Sequence, residues 1–365
     1  MMGAMIQLQY YVRISKSALV HTLAAAKRQT LSKLVVLAVF CTVWSCAPLT
    51  SKTATQRINF GLGDRYHVVH GWPTLPDGEM LGSVVGVGVD SHDNVLVFHR
   101  ADRTWPEDAD LDPTPIESPT IFLFDGRSGD LLARWGANRF AMPHGLTVDE
   151  QDNLWLTDAA LHQIYKFSHD GQLLMTLGEA GVPGDDNAHF NRPTDVAIAP
   201  DGSFYVSDGY LNTRVMKFSA DGRFLFQWGT AGTDQGQFDL PHGLALDAAG
   251  RVYVADRSNS RIQIFDKEGH YQSQWKSEEI GRPYDLAIKS NGLAFIIDGG
   301  DQPESGPDRS SVRIARPDGT IAGGFGRFGN YDGQFAVAHA IALAKDGSVY
   351  IGDIKGRRVQ KFRMN

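Results

Sequence analysis

The sequence predicts an all-β fold, a six-bladed β-propeller, and three observations carry that expectation. The stretch Met142-Pro143-His144-Gly145-Leu146 returns as Leu240-Pro241-His242-Gly243-Leu244, and more loosely as Val337-Ala338-His339-Ala340-Ile341, at separations of 98 and 97 residues. Midway between the histidines lie related stretches with another residue there, Arg192-Pro193-Thr194-Asp195-Val196 and Arg282-Pro283-Tyr284-Asp285-Leu286. Six short apolar segments, Val95–Phe98, Leu154–Thr157, Phe204–Ser207, Val252–Ala255, Ala294–Ile297 and Val349–Gly352, are each followed by one polar residue: His99, Asp158, Asp208, Asp256, Asp298 and Asp353. Units of this kind at periods of roughly 40–60 residues, with 39 glycines and frequent Asp-Gly turns, read as four-stranded blades around an axis.

The N-terminus stands apart from the repeat. Lys27, Arg28 and Lys33 precede an apolar run, Leu34 to Val43, that ends at Val43-Trp44-Ser45-Cys46. A charged region, a short apolar core and a small residue before the cut describe a secretory signal. The core is too short for an ordinary transmembrane helix. Cys46 resembles the lipid-accepting cysteine of a bacterial lipoprotein signal, although Trp44 is unusual in such a box. Plain secretion or an uncleaved anchor are the alternatives. The expected organisation is a signal peptide over 1–46, a linker over 47–60 and a propeller over 61–365. The protein is then exported, periplasmic or extracellular, with Cys46 as lipid anchor and its sole tie to a membrane. Cys41 and Cys46 are the two cysteines, both in the leader, so the mature domain has no disulfide, thiolate chemistry or Cys-ligated zinc. A net charge of −7 without a basic run argues against nucleic acid.

The fourth unit shows a whole blade. His242–Leu246 is its first strand, Val252–Ala255 its second, Arg261–Phe265 its third and Tyr271–Trp275 its fourth, with turns at Ala249-Gly250 and Glu268-Gly269. The sixth unit stops after Arg358–Phe362 and lacks a fourth strand. Tyr66 to Trp72, ahead of the first unit, looks like that missing strand. Pairing the two ends would close the ring and remove two exposed sheet edges. The pattern resembles the NHL repeat family.

First strands line the channel of a propeller, so equivalent positions in alternate blades stand about 120° apart around the axis. His144, His242 and His339 then converge with trigonal symmetry. Taken singly, a histidine in a strand is an ordinary structural residue; three at equivalent positions of alternate units point to a metal. Three imidazoles with an open fourth position is the arrangement of a catalytic zinc, which acts as a Lewis acid. On the same rim, Arg100 and Arg257 follow the second strands of units one and four, across the ring from each other, and Tyr210 follows that of unit three. Opposed arginines suit a carboxylate substrate, and a tyrosine beside a dication can serve as general base. The alternatives are surface solvation for the arginines and a packed rim aromatic for Tyr210. The Asp series after the second strands reads as structural.

The likeness then becomes specific. Val97-Phe98-His99-Arg100, Leu156 to Gln163, Arg192 to Ala197, Val206 to Arg214 and Ala255-Asp256-Arg257 together resemble peptidyl-α-hydroxyglycine α-amidating lyase, over most of residues 80–362. The resemblance implies a six-bladed propeller, zinc on His144, His242 and His339, an active-site tyrosine at Tyr210 and active-site arginines at Arg100 and Arg257. It implies cleavage of a C-terminal α-hydroxyglycine to an amide and glyoxylate, with zinc on the substrate hydroxyl, arginines on the carboxylate and neighbouring carbonyl, and Tyr210 as base. The animal enzymes have Met-Pro-His-Asp at the third ligand and their Asp helps bind a structural Ca²⁺; Ala340 stands there, which puts calcium in doubt. Their disulfide cysteines are absent, for example at Leu211, and no hydroxylating copper domain is fused. The expected substrate is a peptide or a smaller N-acyl or N-carbamoyl α-hydroxyglycine, and the expected state a monomer. Two rival readings remain: a non-catalytic NHL interaction platform, which has no need of histidine on alternate blades, and a metal-dependent propeller hydrolase of the lactonase type, which favours calcium on carboxylates and Asn.

Overall fold

A computed structural model describes residues 65–106, 110–300 and 309–365; the expected signal peptide, Cys46 and the 47–60 linker lie outside them. Six four-stranded antiparallel sheets form the blades, with no α-helix among the described residues. Blade 1 begins at Val84–Val89, blade 2 at Pro143–Val148, blade 3 at Asp195–Ile198, blade 4 at Pro241–Leu246, blade 5 at Pro283–Ile288 and blade 6 at Ala338–Leu343.

Burial along the strands explains their composition. The second strand is buried at every residue in all six blades, because both of its faces meet neighbouring blades. Such strands need no polar alternation and read as near-continuous apolar runs. Outer strands keep one solvated face, as in Tyr271–Trp275, where only Trp275 is buried. The core therefore lies between blades. Trp155 and Ile164 of blade 2, for instance, pack with Phe204, Val206, Met216 and Phe218 of blade 3.

The Asp series is structural. Asp158, wholly buried, accepts the N–H groups of Ala141, Met142, Ala160 and Leu161 at 2.6–3.1 Å. It ties the chain entering the first strand to the turn leaving the second. Asp208, Asp256, Asp298 and Asp353 accept corresponding N–H groups in their blades. His99 replaces this carboxylate in blade 1. Its Nδ1 accepts the N–H groups of Gly82 and Ala101, both at 3.1 Å. Burial, with help from Arg357, pushes its pKa down to about 4, so the ring is a neutral acceptor at neutral pH.

The missing strand of blade 6 is Tyr66–Val68, which pairs antiparallel with Arg358–Met364 in the register Tyr66↔Met364 and Val68↔Phe362. The expected strand ran on to Trp72; the structure ends it at Val68. Gly71 turns the chain at φ 75°, and Trp72 leaves the sheet to pack on Tyr350 of blade 6, ring centroids 4.9 Å apart, and on Phe124 of blade 1. Tyr66 stacks on Phe325 of blade 5 at 4.9 Å. The segment thus joins three blades. A chain beginning at Arg65 is expected to fold, whereas one beginning at Pro73 should aggregate, since each buried aromatic removed costs roughly 3–5 kcal/mol and an edge is opened. Equal melting temperatures for the two would contradict this.

Candidate active site

The three alternate histidines meet at one end of the channel. Their ring centroids form a nearly equilateral triangle with sides of 4.8, 4.9 and 4.9 Å. All three are buried, and their candidate ligand atoms lie within 4.8 Å of one another. The cavity among them is about 20 Å³, room for a single water or a bare ion.

The intervening positions explain the alternation. Each imidazole Nδ1 meets a backbone carbonyl of the next blade: His144 that of Thr194 at 2.7 Å, His242 that of Tyr284 at 2.6 Å and His339 that of Val85 at 2.8 Å. A carbonyl only accepts, so Nδ1 carries the proton and the Nε2 lone pair points inward. The glycine that follows two of the histidines leaves room for the neighbouring blade: a Cβ at Gly145 would lie 2.5 Å from the Thr194 oxygen, and one at Gly243 2.7 Å from the Tyr284 oxygen. Ala340 follows His339, whose bond to Val85 forms all the same, so the lock itself does not require glycine.

Electrostatics keeps the set neutral. Burial, then the Arg100 charge, pushes the His144 pKa down to about 3. Burial and the other histidines hold those of His242 and His339 well below the usual value. Three neutral, inward lone pairs are the donor set that a zinc-type cation takes. The buried His339 Nε2 has no hydrogen-bond partner among the described residues, as expected of an atom that awaits a metal.

The other sequence-predicted residues surround this triangle. Tyr210 Oη lies 2.9 Å from His144 Nε2 and 3.4 Å from His242 Nε2, within reach of two of the three inward nitrogens. Arg100 is not a surface group. It is 2% exposed, its Nε donates to the Pro143 carbonyl at 2.9 Å, and burial lowers its pKa only to about 10, leaving it cationic. Arg257 lies with its guanidinium carbon 3.9 Å from the centre of the Tyr284 ring.

Three features escaped sequence reasoning. Trp105, from the long blade 1 connection, lies 4.7 Å from the Tyr210 ring and 4.9 Å from the Arg100 guanidinium. Nothing in the repeat marks it, because the connection between second and third strands, short in blades 2, 3, 4 and 6, is lengthened here. Tyr284 occupies in blade 5 the position that histidine holds in alternate blades, and its place in Arg282-Pro283-Tyr284-Asp285 was the available signal. Asp195 and Asp285 line the channel beside the trio and accept the N–H groups of Leu244 and Ile341 at 2.8 and 2.9 Å, bolting blades 3 to 4 and 5 to 6. Burial raises both pKa values, that of Asp285 to about 7, and the Asp285 charge adds to the rise at Asp195.

Comparison with known proteins adds four findings. The NHL repeat family matches residues 238–265. The chain is 37% identical to peptidyl-glycine alpha-amidating monooxygenase B of Xenopus laevis over 80% of its own length, and spans 35% of that protein. It is 32% identical to the probable peptidyl-alpha-hydroxyglycine alpha-amidating lyase of Caenorhabditis elegans, over 78% of this chain and 83% of that one. A streptogramin B lyase structure shares the fold at a TM-score of 0.54 with 13% identity, covering 82% of this chain and 98% of the other.

Proposed function

This chain belongs to the peptidyl-α-hydroxyglycine α-amidating lyase family, and on that premise we propose that it is a zinc-dependent lyase cleaving the C–N bond of a peptidyl or N-acyl α-hydroxyglycine to give an amide and glyoxylate. The observation that carries the reading is the triangle of neutral imidazoles around an ion-sized cavity, with a tyrosine hydroxyl 2.9 Å from one of the inward nitrogens. A donor set of three neutral nitrogens, with no thiolate, suits zinc better than calcium, which prefers oxygen. Zinc held by His144, His242 and His339 would supply a Lewis acid to the substrate hydroxyl.

The remaining work falls to the chain's own groups. Arg100 and Arg257 hold the carboxylate and the neighbouring carbonyl by charge-assisted hydrogen bonds. Tyr210, entering the step as its phenolate, takes the hydroxyl proton at Oη. As the O–H electron pair becomes the new C=O of glyoxylate, the C–N bond breaks and its pair stays on the amide nitrogen. The proton passes from Tyr210 to that nitrogen, so no water is consumed and the step is an elimination. Residues 1–46 act in this reading as an export signal of the lipoprotein type, with Cys46 as anchor, 47–60 as linker and 61–365 as the catalytic propeller.

The test is glyoxylate release from a panel of N-acyl α-hydroxyglycines with and without a chelator. Chelation should stop release and added zinc restore it; absence of release from every member would overturn the reading. In the same assay Arg257→Ala should raise KM, because it removes a charge partner of the carboxylate. Arg257→Lys should rescue in part, since a point charge cannot reproduce a planar two-donor contact. Full rescue by lysine would argue against bidentate binding.

A further inference from the structure

Arg257 is a long, flexible side chain, and an anion-binding guanidinium loses affinity if it must be ordered at the moment of binding. Something must hold it before the substrate arrives. One residue in contact with it is Tyr284, from the first strand of blade 5. Tyr284 is 4% exposed, so its ring is fixed by packing. Its hydroxyl accepts a hydrogen bond from Arg257 Nη2, and its ring lies under the guanidinium carbon at 3.9 Å. One side chain thus offers both an acceptor and a π face to the same cation. Stacking fixes the plane of the guanidinium, and the hydrogen bond fixes its rotation within that plane.

Tyr284 is also tied to the metal site. Its backbone carbonyl takes the Nδ1 proton of His242, and its ring packs 5.1 Å from the ring of His242 and 5.6 Å from that of His339. The position equivalent to a ligand histidine therefore carries a tyrosine that orients one ligand through its main chain and one arginine through its side chain. We infer that Tyr284 is a positioning residue for the anion subsite, which presets Arg257 for a planar carboxylate at a fixed distance from the three histidines. This rests on the reading of Arg257 as a carboxylate partner. It makes the preferred substrate class an α-hydroxy acid whose carboxylate is free, and disfavours the amide or ester of that acid.

The test compares wild type, Tyr284→Phe, Arg257→Ala and the double variant. Two quantities are read: KM and kcat for glyoxylate release, and binding of glyoxylate itself by calorimetry, with zinc content measured in each protein. Tyr284→Phe keeps the ring, the packing and the carbonyl, so zinc content should not change. Loss of one hydrogen bond to a charged group should weaken glyoxylate binding and raise KM by about tenfold, with kcat within about threefold. In the Arg257→Ala background the same change should have almost no further effect, because the inferred role of the hydroxyl is exerted through the arginine. Equal losses in both backgrounds, or no loss from Tyr284→Phe where Arg257→Ala is defective, would overturn the inference alone. Unchanged glyoxylate binding in Arg257→Ala would overturn the anion-holding role of Arg257, and this inference with it.

Discussion

Replacing His242 with alanine is expected to leave the purified protein nearly free of zinc and without glyoxylate release, yet folded. The three ligands are equivalent in geometry, each buried and each locked by one carbonyl, so losing any one leaves two nitrogens and a cavity too large for the ion. Two imidazoles hold zinc far more weakly than three. Turnover should fall with occupancy, because the proposed chemistry needs the hydroxyl acidified at that point. The fold should survive, because blade-to-blade packing holds the ring without passing through the histidines. Saturating metal at 100 times its dissociation constant stabilises a protein by about 2.7 kcal/mol, which sets the scale of the lost stability. Metal analysis, circular dichroism and the glyoxylate assay on the three single alanine variants check this together. Full zinc retention in all three would sink the metal assignment.

The second large effect is expected from Tyr210→Phe. The substitution keeps the ring that packs on Trp105 and His144 and removes only the oxygen beside His144 Nε2. A proton acceptor in this position contributes on the order of 10²–10⁴-fold, and kcat should drop by that much with zinc content unchanged. KM should move little, because the arginines and the histidine triangle remain. Steady-state release at matched zinc occupancy, followed across pH, separates the two parameters. Near wild-type turnover in this variant would exclude the tyrosine as base.

Repetition made the fold and half of the site legible. Six copies of one strand pattern outvote any local ambiguity, and a position filled by histidine in every second copy is a statement about the axis before any coordinates exist. The same logic placed Arg100, Arg257 and Tyr210 on one rim, since all three follow a second strand. What stayed hidden is what departs from the repeat. Trp105 sits in a connection lengthened beyond the repeat. Trp72 reads as the end of the strand that completes the sixth unit, but tertiary packing against Tyr350 and Phe124 draws it out of the sheet. Tyr284 was visible as the odd residue of a motif, yet its contact with Arg257 joins two blades and leaves no trace in the spacing of either. Contacts between blades obey the ring geometry, and a linear pattern records them only when every copy makes the same one.

The carbonyl that orients His339 belongs to Val85, 254 residues earlier in the chain, across the seam where the last blade docks on the first. During synthesis His144 and His242 can each find their orienting carbonyls as soon as the following blade has emerged. The third ligand acquires its tautomer only when the ring shuts. A trio with all three imidazoles oriented therefore requires the closed ring, since His339 and Val85 stand on opposite sides of its seam.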